Sequence, residues 1–180
     1  FFMQRVVVID ALNMFIRNYI VNPMISTNGN PIGGTVGFVN SVKKLMRESK
    51  PDQVIICWDG AGGSQKRRQT VKEYKKGRKP LRKNYEIEGM SEQSQKLNEM
   101  PIIQLMLDRV EADDIISMIV NSPKYNGWQK VIVSSDKDFL QLLDDETVLY
   151  RPIQKKAWTK NTVIEEYGIS PENFVIARAI

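Results

Sequence analysis

Four short apolar runs, rich in β-branched residues, recur along the chain, and acidic residues follow each one. Asp10 follows Val6 to Ile9, and Asp59 follows Gln53 to Trp58. Glu111, Asp113 and Asp114 follow Pro101 to Met106, and Asp136 and Asp138 follow Lys130 to Val133. Continuous apolar runs of this length are those of strands buried on both faces. Between them the spacing becomes helical. Ala11 to Tyr19 can continue as a helix, and from Thr35 the residues Val36, Val39, Val42, Leu45 and Met46 fall on one helical face, with Lys43, Lys44, Arg47 and Glu48 opposite. Ile115, Ile116, Ile119 and Val120 form a further helical face, and Phe139 to Leu143 fits a short helix. Strands alternating with helices predict an α/β fold: a mostly parallel twisted sheet flanked by helices.

The remaining segments fit this frame. Thr27 to Gly34 and Gly60 to Gly63 read as loops, Pro51-Asp52 as a breaker, and Thr147 to Tyr150 as a fifth strand. Thr162 to Tyr167 reads as a helix closed by Gly168. Ser170-Pro171 reads as the cap and first turn of a last helix. No internal repeat is visible. The longest apolar run, Val6 to Ile9, is far too short to span a bilayer. The N-terminus lacks the pattern of a signal peptide, and Phe1-Phe2 ahead of Met3 is expected to be an added remnant.

In a parallel sheet of this kind, sites form at the carboxyl ends of the strands. The spacing therefore places seven carboxylates, Asp10, Asp59, Glu111, Asp113, Asp114, Asp136 and Asp138, along one edge. Taken singly, each is a helix cap or a turn former. Taken together at four strand ends, they repel one another unless cations neutralise them. The chain has no histidine and a single cysteine, Cys57. That excludes Ser-His-Asp triads, histidine-ligated metals, Cys-based zinc sites and an internal disulfide framework. The cation that suits an all-oxygen set is Mg²⁺ or Mn²⁺. Two such ions in a multi-carboxylate site favour phosphodiester chemistry.

The net charge of +5 is unevenly spread. Lys66 to Lys83 holds ten of the 26 Lys and Arg and one of the 21 acids, leaving 16 basic against 20 acidic residues elsewhere. Such a strip is either a solvated, flexible loop or a surface for a phosphate backbone. Beside an acidic edge, the second reading explains both features: the strip brings a polyanion to the metal-filled hole.

These stretches resemble the flap endonuclease-type 5′ nucleases, with their PIN-like fold, and among them the bacteriophage and bacterial 5′-3′ exonucleases most closely. The matching segments are Val8-Ile9-Asp10-Ala11-Leu12-Asn13 with Arg17, Ile56-Cys57-Trp58-Asp59-Gly60, and Glu73-Tyr74-Lys75-Lys76-Gly77-Arg78. They continue with Val110-Glu111-Ala112-Asp113-Asp114-Ile115-Ile116 and Ser134-Ser135-Asp136-Lys137-Asp138-Phe139-Leu140-Gln141-Leu142. Gly29-Asn30-Pro31 with Gly33, Gly37 and Phe38 fits the family's loop before its second helix. Each segment alone is a weak signal; their order and spacing over nearly the whole chain are specific.

The resemblance implies that the seven carboxylates hold two Mg²⁺ ions, with Mn²⁺ able to substitute. It implies that Lys75 and Arg78 stabilise charge at the scissile phosphate from the base of a basic helical arch. Tyr74 would stack on a base near the cut, or simply pack on the arch. Lys66, Arg67, Arg68, Lys72, Lys79, Arg82 and Lys83 would make weaker backbone contacts, or stay solvated. Residues 3–180 would form the catalytic domain, with 64–100 as the arch region. The family's further Gly-Asp-x-x-Asp-Asn-type acidic pair and its helix-turn-helix element would follow a helix like Pro171 to Ile180, and are expected to be absent or truncated in the sequence given. The stretch from Lys83 to Pro101 is short for an arch and its following helix.

The expected activity is a structure-specific 5′ nuclease, a 5′-3′ exonuclease or flap endonuclease of replication and repair. Its partner would be DNA with a 5′ single-stranded flap or an RNA-DNA primer end. The protein would act as a monomer, with a replication protein as a further partner, in the cytoplasm of a bacterium or phage-infected host. Two alternatives stay open: a PIN-type ribonuclease of single-stranded RNA, and a non-catalytic nucleic-acid-binding module. A haloacid-dehalogenase-type phosphohydrolase needs a second aspartate two residues after Asp10, where the chain has Leu12.

Overall fold

β-branched side chains are stiff at χ1 and pack well on a pleated surface, and the runs that carry them form the strands. The computed structural model describes residues 4–15, 33–60 and 102–174. Within these lie β1 (Gln4–Asp10), β2 (Gln53–Trp58), β3 (Ile102–Met106), β4 (Trp128–Val133), β5 (Thr147–Arg151) and β6 (Lys156–Trp158). They make one sheet in the order β3-β2-β1-β4-β5-β6. The first five strands are parallel to their neighbours, and β6 pairs antiparallel with β5.

Side chains of a strand alternate between the two faces, and both faces here are covered. Val7, Ile9, Val54, Ile56 and Val133 point to one side, where Phe38, Val39, Val42 and Met46 of helix α1 (Gly33–Ser49) meet them. Val6, Val8, Ile55, Cys57, Ile132 and Leu149 point to the other. There they pack with Ile115, Ile116, Ile119 and Val120 of helix α2 (Ala112–Val120), and with Phe139 and Leu140. Helix α3 (Lys160–Tyr167) adds Val163 to this second cluster. Its N-terminus is a capping box between Thr159 and Thr162, and Gly168 closes it at φ 69°, in the left-handed region that favours glycine.

Several boundaries differ from the expectation. Gly33-Gly34, expected in a loop, opens α1; the packing of the α1 face on the sheet outweighs glycine's low helix propensity. β4 starts two residues earlier than Lys130, because Trp128 and Gln129 pair with Gln4 and Arg5. The short helix after β4 is a 3₁₀ helix, Lys137–Leu142. β6 was not expected; a three-residue strand carries too little periodicity to read. It follows a tight turn in which Lys155 N donates to Pro152 O at 3.3 Å and Lys155 has φ 49°. After Ser170 the chain forms a 3₁₀ turn, Pro171–Asn173, and the Ser170 hydroxyl accepts from Asn173 Nδ2 rather than from a helix N–H. Ile16 to Ile32, the basic segment and everything expected beyond Phe174 lie outside the described residues. Among the described residues, no helix is long and apolar enough to cross a membrane.

Candidate active site

The strand order brings the acid-bearing strands together. β3, β2, β1 and β4 are consecutive in the sheet and parallel, so their carboxyl ends form one uninterrupted edge, while β5 and β6 lie outside it. The chain runs from β1 through β2 to β3 in one direction, then returns to place β4 on the other side of β1. The carboxyl ends of β1 and β4 thus flank the switch point, where open α/β sheets bind ligands.

Asp10 is the last residue of β1 and is fully buried. Its Oδ2 accepts a 3.0 Å hydrogen bond from Ser134 Oγ at the end of β4. That Oγ in turn accepts from Asp136 N at 3.1 Å, and Asp136 Oδ1 accepts from Asp138 N at 2.8 Å. The second pair is the cap that winds Lys137–Leu142 into its 3₁₀ turn. Asn13 Oδ1 accepts from Ser135 N at 3.1 Å, and Arg151 Nη2, at the end of β5, donates to Ser135 O at 3.1 Å. The loop carrying Asp136 is therefore held from β1, from the helical residues 11–15 and from β5.

On the other side of Asp10, Asp59 follows β2. Its Oδ1 accepts from Ala112 N at 2.7 Å. Glu111 sits at the N-cap position of α2, but its side chain makes no cap bond there. Asp59 therefore caps α2 from a different strand and leaves the Glu111 carboxylate for other use. Gly60 N donates to Val110 O at 2.9 Å, and a Cβ on Gly60 would lie 1.7 Å from Leu107 O. Only glycine lets the end of β2 approach the turn after β3 this closely. Asp113 and Asp114 occupy the first turn of α2, where the helix dipole favours negative charge. Burial, and then the charge of Asp10, push the Cys57 thiol up to about 12. It stays protonated and is a core side chain.

The seven predicted carboxylates thus lie in or just after the carboxyl ends of β1, β2, β3 and β4 along the chain. Among the described residues, however, no three of them converge closely enough to enclose an ion. One physical reason is breadth: neighbouring strands are ~4.8 Å apart, so the β3 and β4 ends of the row are about 14 Å apart. Another is that Asp59 and Asp136 each direct one oxygen at a backbone N–H. Lys75 and Arg78, as well as Lys66, Arg67, Arg68, Lys72, Tyr74, Lys79, Arg82 and Lys83, lie outside the described residues. Three residues given no role from sequence take part in the site: Ser134, Asn13 and Arg151. Ser134 and Asn13 lie inside the motifs that carry the acids. Nothing in the sequence marks Arg151, whose partner is reached only across β4 and β5.

The family described as 5′-3′ exonuclease, N-terminal resolvase-like domain, matches residues 5–168. The chain is 32% identical to a DNA polymerase I of Caldicellulosiruptor bescii, over 92% of this chain and 20% of that protein. It is 26% identical to a 5′-3′ exonuclease of Aquifex aeolicus, over 94% of this chain and 58% of that one. It is 29% identical to the flap endonuclease Xni of Aeromonas hydrophila, over 95% and 64%. The chain thus spans about a fifth of the polymerase and less than two thirds of the two nucleases. The bacteriophage T5 D15 flap endonuclease, crystallised with DNA and metal ions, superposes with a TM-score of 0.65 at 16% identity, over 98% of this chain and 66% of that one. The shared fold is the mostly parallel sheet with flanking helices that the sequence predicts.

Proposed function

The chain belongs to the 5′-3′ exonuclease family through its N-terminal resolvase-like domain, and from that premise we propose that it is a divalent-metal-dependent 5′ nuclease. It would act as a 5′-3′ exonuclease and flap endonuclease, hydrolysing phosphodiester bonds in DNA flaps or RNA primers during replication and repair. The observation that carries this reading is the contiguity of the four acid-bearing strand ends. A sheet that gathers carboxylates on neighbouring ends, and none on the outer two strands' share of that edge, has concentrated negative charge in one place.

The donor set fits a hard cation. It consists of carboxylate oxygens, the chain has no histidine, and the Cys57 thiol is held protonated. Asp10, Asp59, Glu111, Asp113, Asp114, Asp136 and Asp138 would hold the ions, which we take to be two Mg²⁺, with Mn²⁺ able to substitute. A pair of ions is what phosphodiester hydrolysis at a multi-carboxylate site uses, and rotation about χ1 and χ2 of the exposed Asp114 and Asp138 would bring their carboxylates inward. When bound, such ions lower the pKa of water and stabilise the leaving oxygen of an in-line displacement.

The chain's own residues do the rest. Ser134 and the Ala112 amide hold Asp10 and Asp59 in place. Lys75 and Arg78 would neutralise charge building on the phosphate, Tyr74 would stack on the adjacent base, and the other basic residues of the strip would grip the backbone. Contacts of that kind select shape and strand end rather than base sequence. The partner is DNA with a 5′ flap or primer end, as the T5 complex with DNA supports for its own chain. We place the protein, as a monomer beside the replication machinery, in a bacterial or phage-infected cytoplasm.

The test is cleavage of a 5′-labelled flap duplex, in Mg²⁺ and in EDTA, beside a matched single strand. The expected result is Mg²⁺-dependent cutting near the junction that is lost in Asp136→Asn. Equal cutting in EDTA, or equal cutting by Asp136→Asn, would refute the assignment. Preference for a single RNA strand would favour a ribonuclease instead.

A further inference from the structure

Ser134 is 1% exposed and lies between two of the acids. A hydroxyl has one proton to give and lone pairs to receive with. Here the proton goes to Asp10 Oδ2 at 3.0 Å, and the oxygen receives Asp136 N at 3.1 Å. Both bonds need one rotamer and one hydroxyl orientation. The backbone around it is held as well: Ser134 N donates to Tyr150 O at 3.2 Å, Ser135 N to Asn13 Oδ1, and Arg151 Nη2 to Ser135 O. Arg151 is 9% exposed, so its guanidinium braces the loop from inside the protein.

We propose that Ser134 is a positioning residue for catalysis. Its hydroxyl fixes the Asp10 carboxylate relative to the loop that carries Asp136 and Asp138, across the join between β1 and β4. The inference rests on the reading that these acids hold divalent ions. Groups that orient a ligating carboxylate by hydrogen bonding change how tightly the ion is held, not only how stable the fold is. A serine serving the fold alone would change stability and leave metal affinity untouched.

The experiment compares the full chain with Ser134→Ala, Ser134→Thr and Asp136→Asn. Mn²⁺ alone, without nucleic acid, is titrated and followed by electron paramagnetic resonance. Thermal unfolding is recorded in EDTA, and cleavage is followed against Mg²⁺ concentration. Ser134→Ala is expected to fold in EDTA, to bind Mn²⁺ roughly 10- to 100-fold more weakly, and to regain rate as Mg²⁺ is raised. Ser134→Thr, which keeps the hydroxyl, is expected to bind Mn²⁺ close to the unaltered chain. The proposal is overturned if Ser134→Ala binds Mn²⁺ normally while Asp136→Asn does not, if Ser134→Thr loses as much affinity as Ser134→Ala, or if Ser134→Ala fails to fold. If Asp136→Asn also binds Mn²⁺ normally, it is the metal-site reading itself that fails.

Discussion

Asp59 carries two duties that can be separated by substitution. One is a proposed charge on the metal-binding edge; the other is the 2.7 Å bond from Ala112 N to its Oδ1, which caps α2. Asp59→Asn keeps an oxygen at the capping position and removes the charge. Asp59→Ala removes both. Losing an N-cap acceptor costs about 0.5–2 kcal/mol, and no cap bond from Glu111 replaces it. Losing the charge beside a helix N-terminus costs only about 0.3–1 kcal/mol at a partly exposed site, and in EDTA the relief of repulsion from the neighbouring acids offsets part of even that. For a chain of this length, 1 kcal/mol moves the melting midpoint by roughly 2–4 °C. Asp59→Ala should therefore melt about 1–8 °C lower than the unaltered chain, and Asp59→Asn should show a smaller drop than Asp59→Ala, under about 4 °C. Both should lose Mg²⁺-dependent flap cleavage. Melting in EDTA, with cleavage measured well below the midpoint, separates the two effects. Equal melting of the Asn and Ala variants would refute the capping role. Full cleavage by Asp59→Asn would refute the metal role.

Two further perturbations test the frame around the site. Lys130, almost wholly buried, donates to Glu146 Oε2 at 2.7 Å, and that bond holds the Glu146 carboxyl below its ordinary value of 4.5. A depressed carboxyl contributes stability above its unfolded value and loses it as pH falls through the folded one. Urea unfolding of Glu146→Gln should show less stability than the unaltered chain at pH 7, with the gap closing below pH 4.5; a constant gap would refute the assignment. Gly168, at φ 69° with no heavy atom within 4 Å of an added Cβ, is constrained by conformation and not by space. Gly168→Ala should cost about 1–2 kcal/mol in urea unfolding, and Gly168→Asn less.

The strands and the acids that follow them were legible because both are local signals. Apolar runs such as Val6 to Ile9 and Gln53 to Trp58 read as strands, and their acids are visible one or a few residues on. Element ends were less legible, because pairing decides them: Trp128 and Gln129 join β4 only because Gln4 and Arg5 lie beside them. Lys156–Trp158 is too short to announce itself, and it becomes a strand through the edge that β5 offers. The roles of Ser134, Asn13 and Arg151 depend on partners 16 to 124 residues away in the chain. Short-range periodicity has no access to such pairs.

The chemistry proposed for this protein follows from its composition and the local pattern alone. Without histidine, with one cysteine in a strand, and with acids after four apolar runs, the donor set that the sequence offers is one of carboxylate oxygens. Parallel strands put those acids on one edge whatever their order. The order itself is tertiary: β1 lies between β2 and β4, so Asp10 stands at the switch point with Asp59 on one side and Asp136 on the other. Other strand orders would have kept the same acids and the same periodicity while scattering the carboxylates among strands that carry none. Packing chose between them, because a strand buried on both faces must be covered by helices that its sequence neighbours can reach.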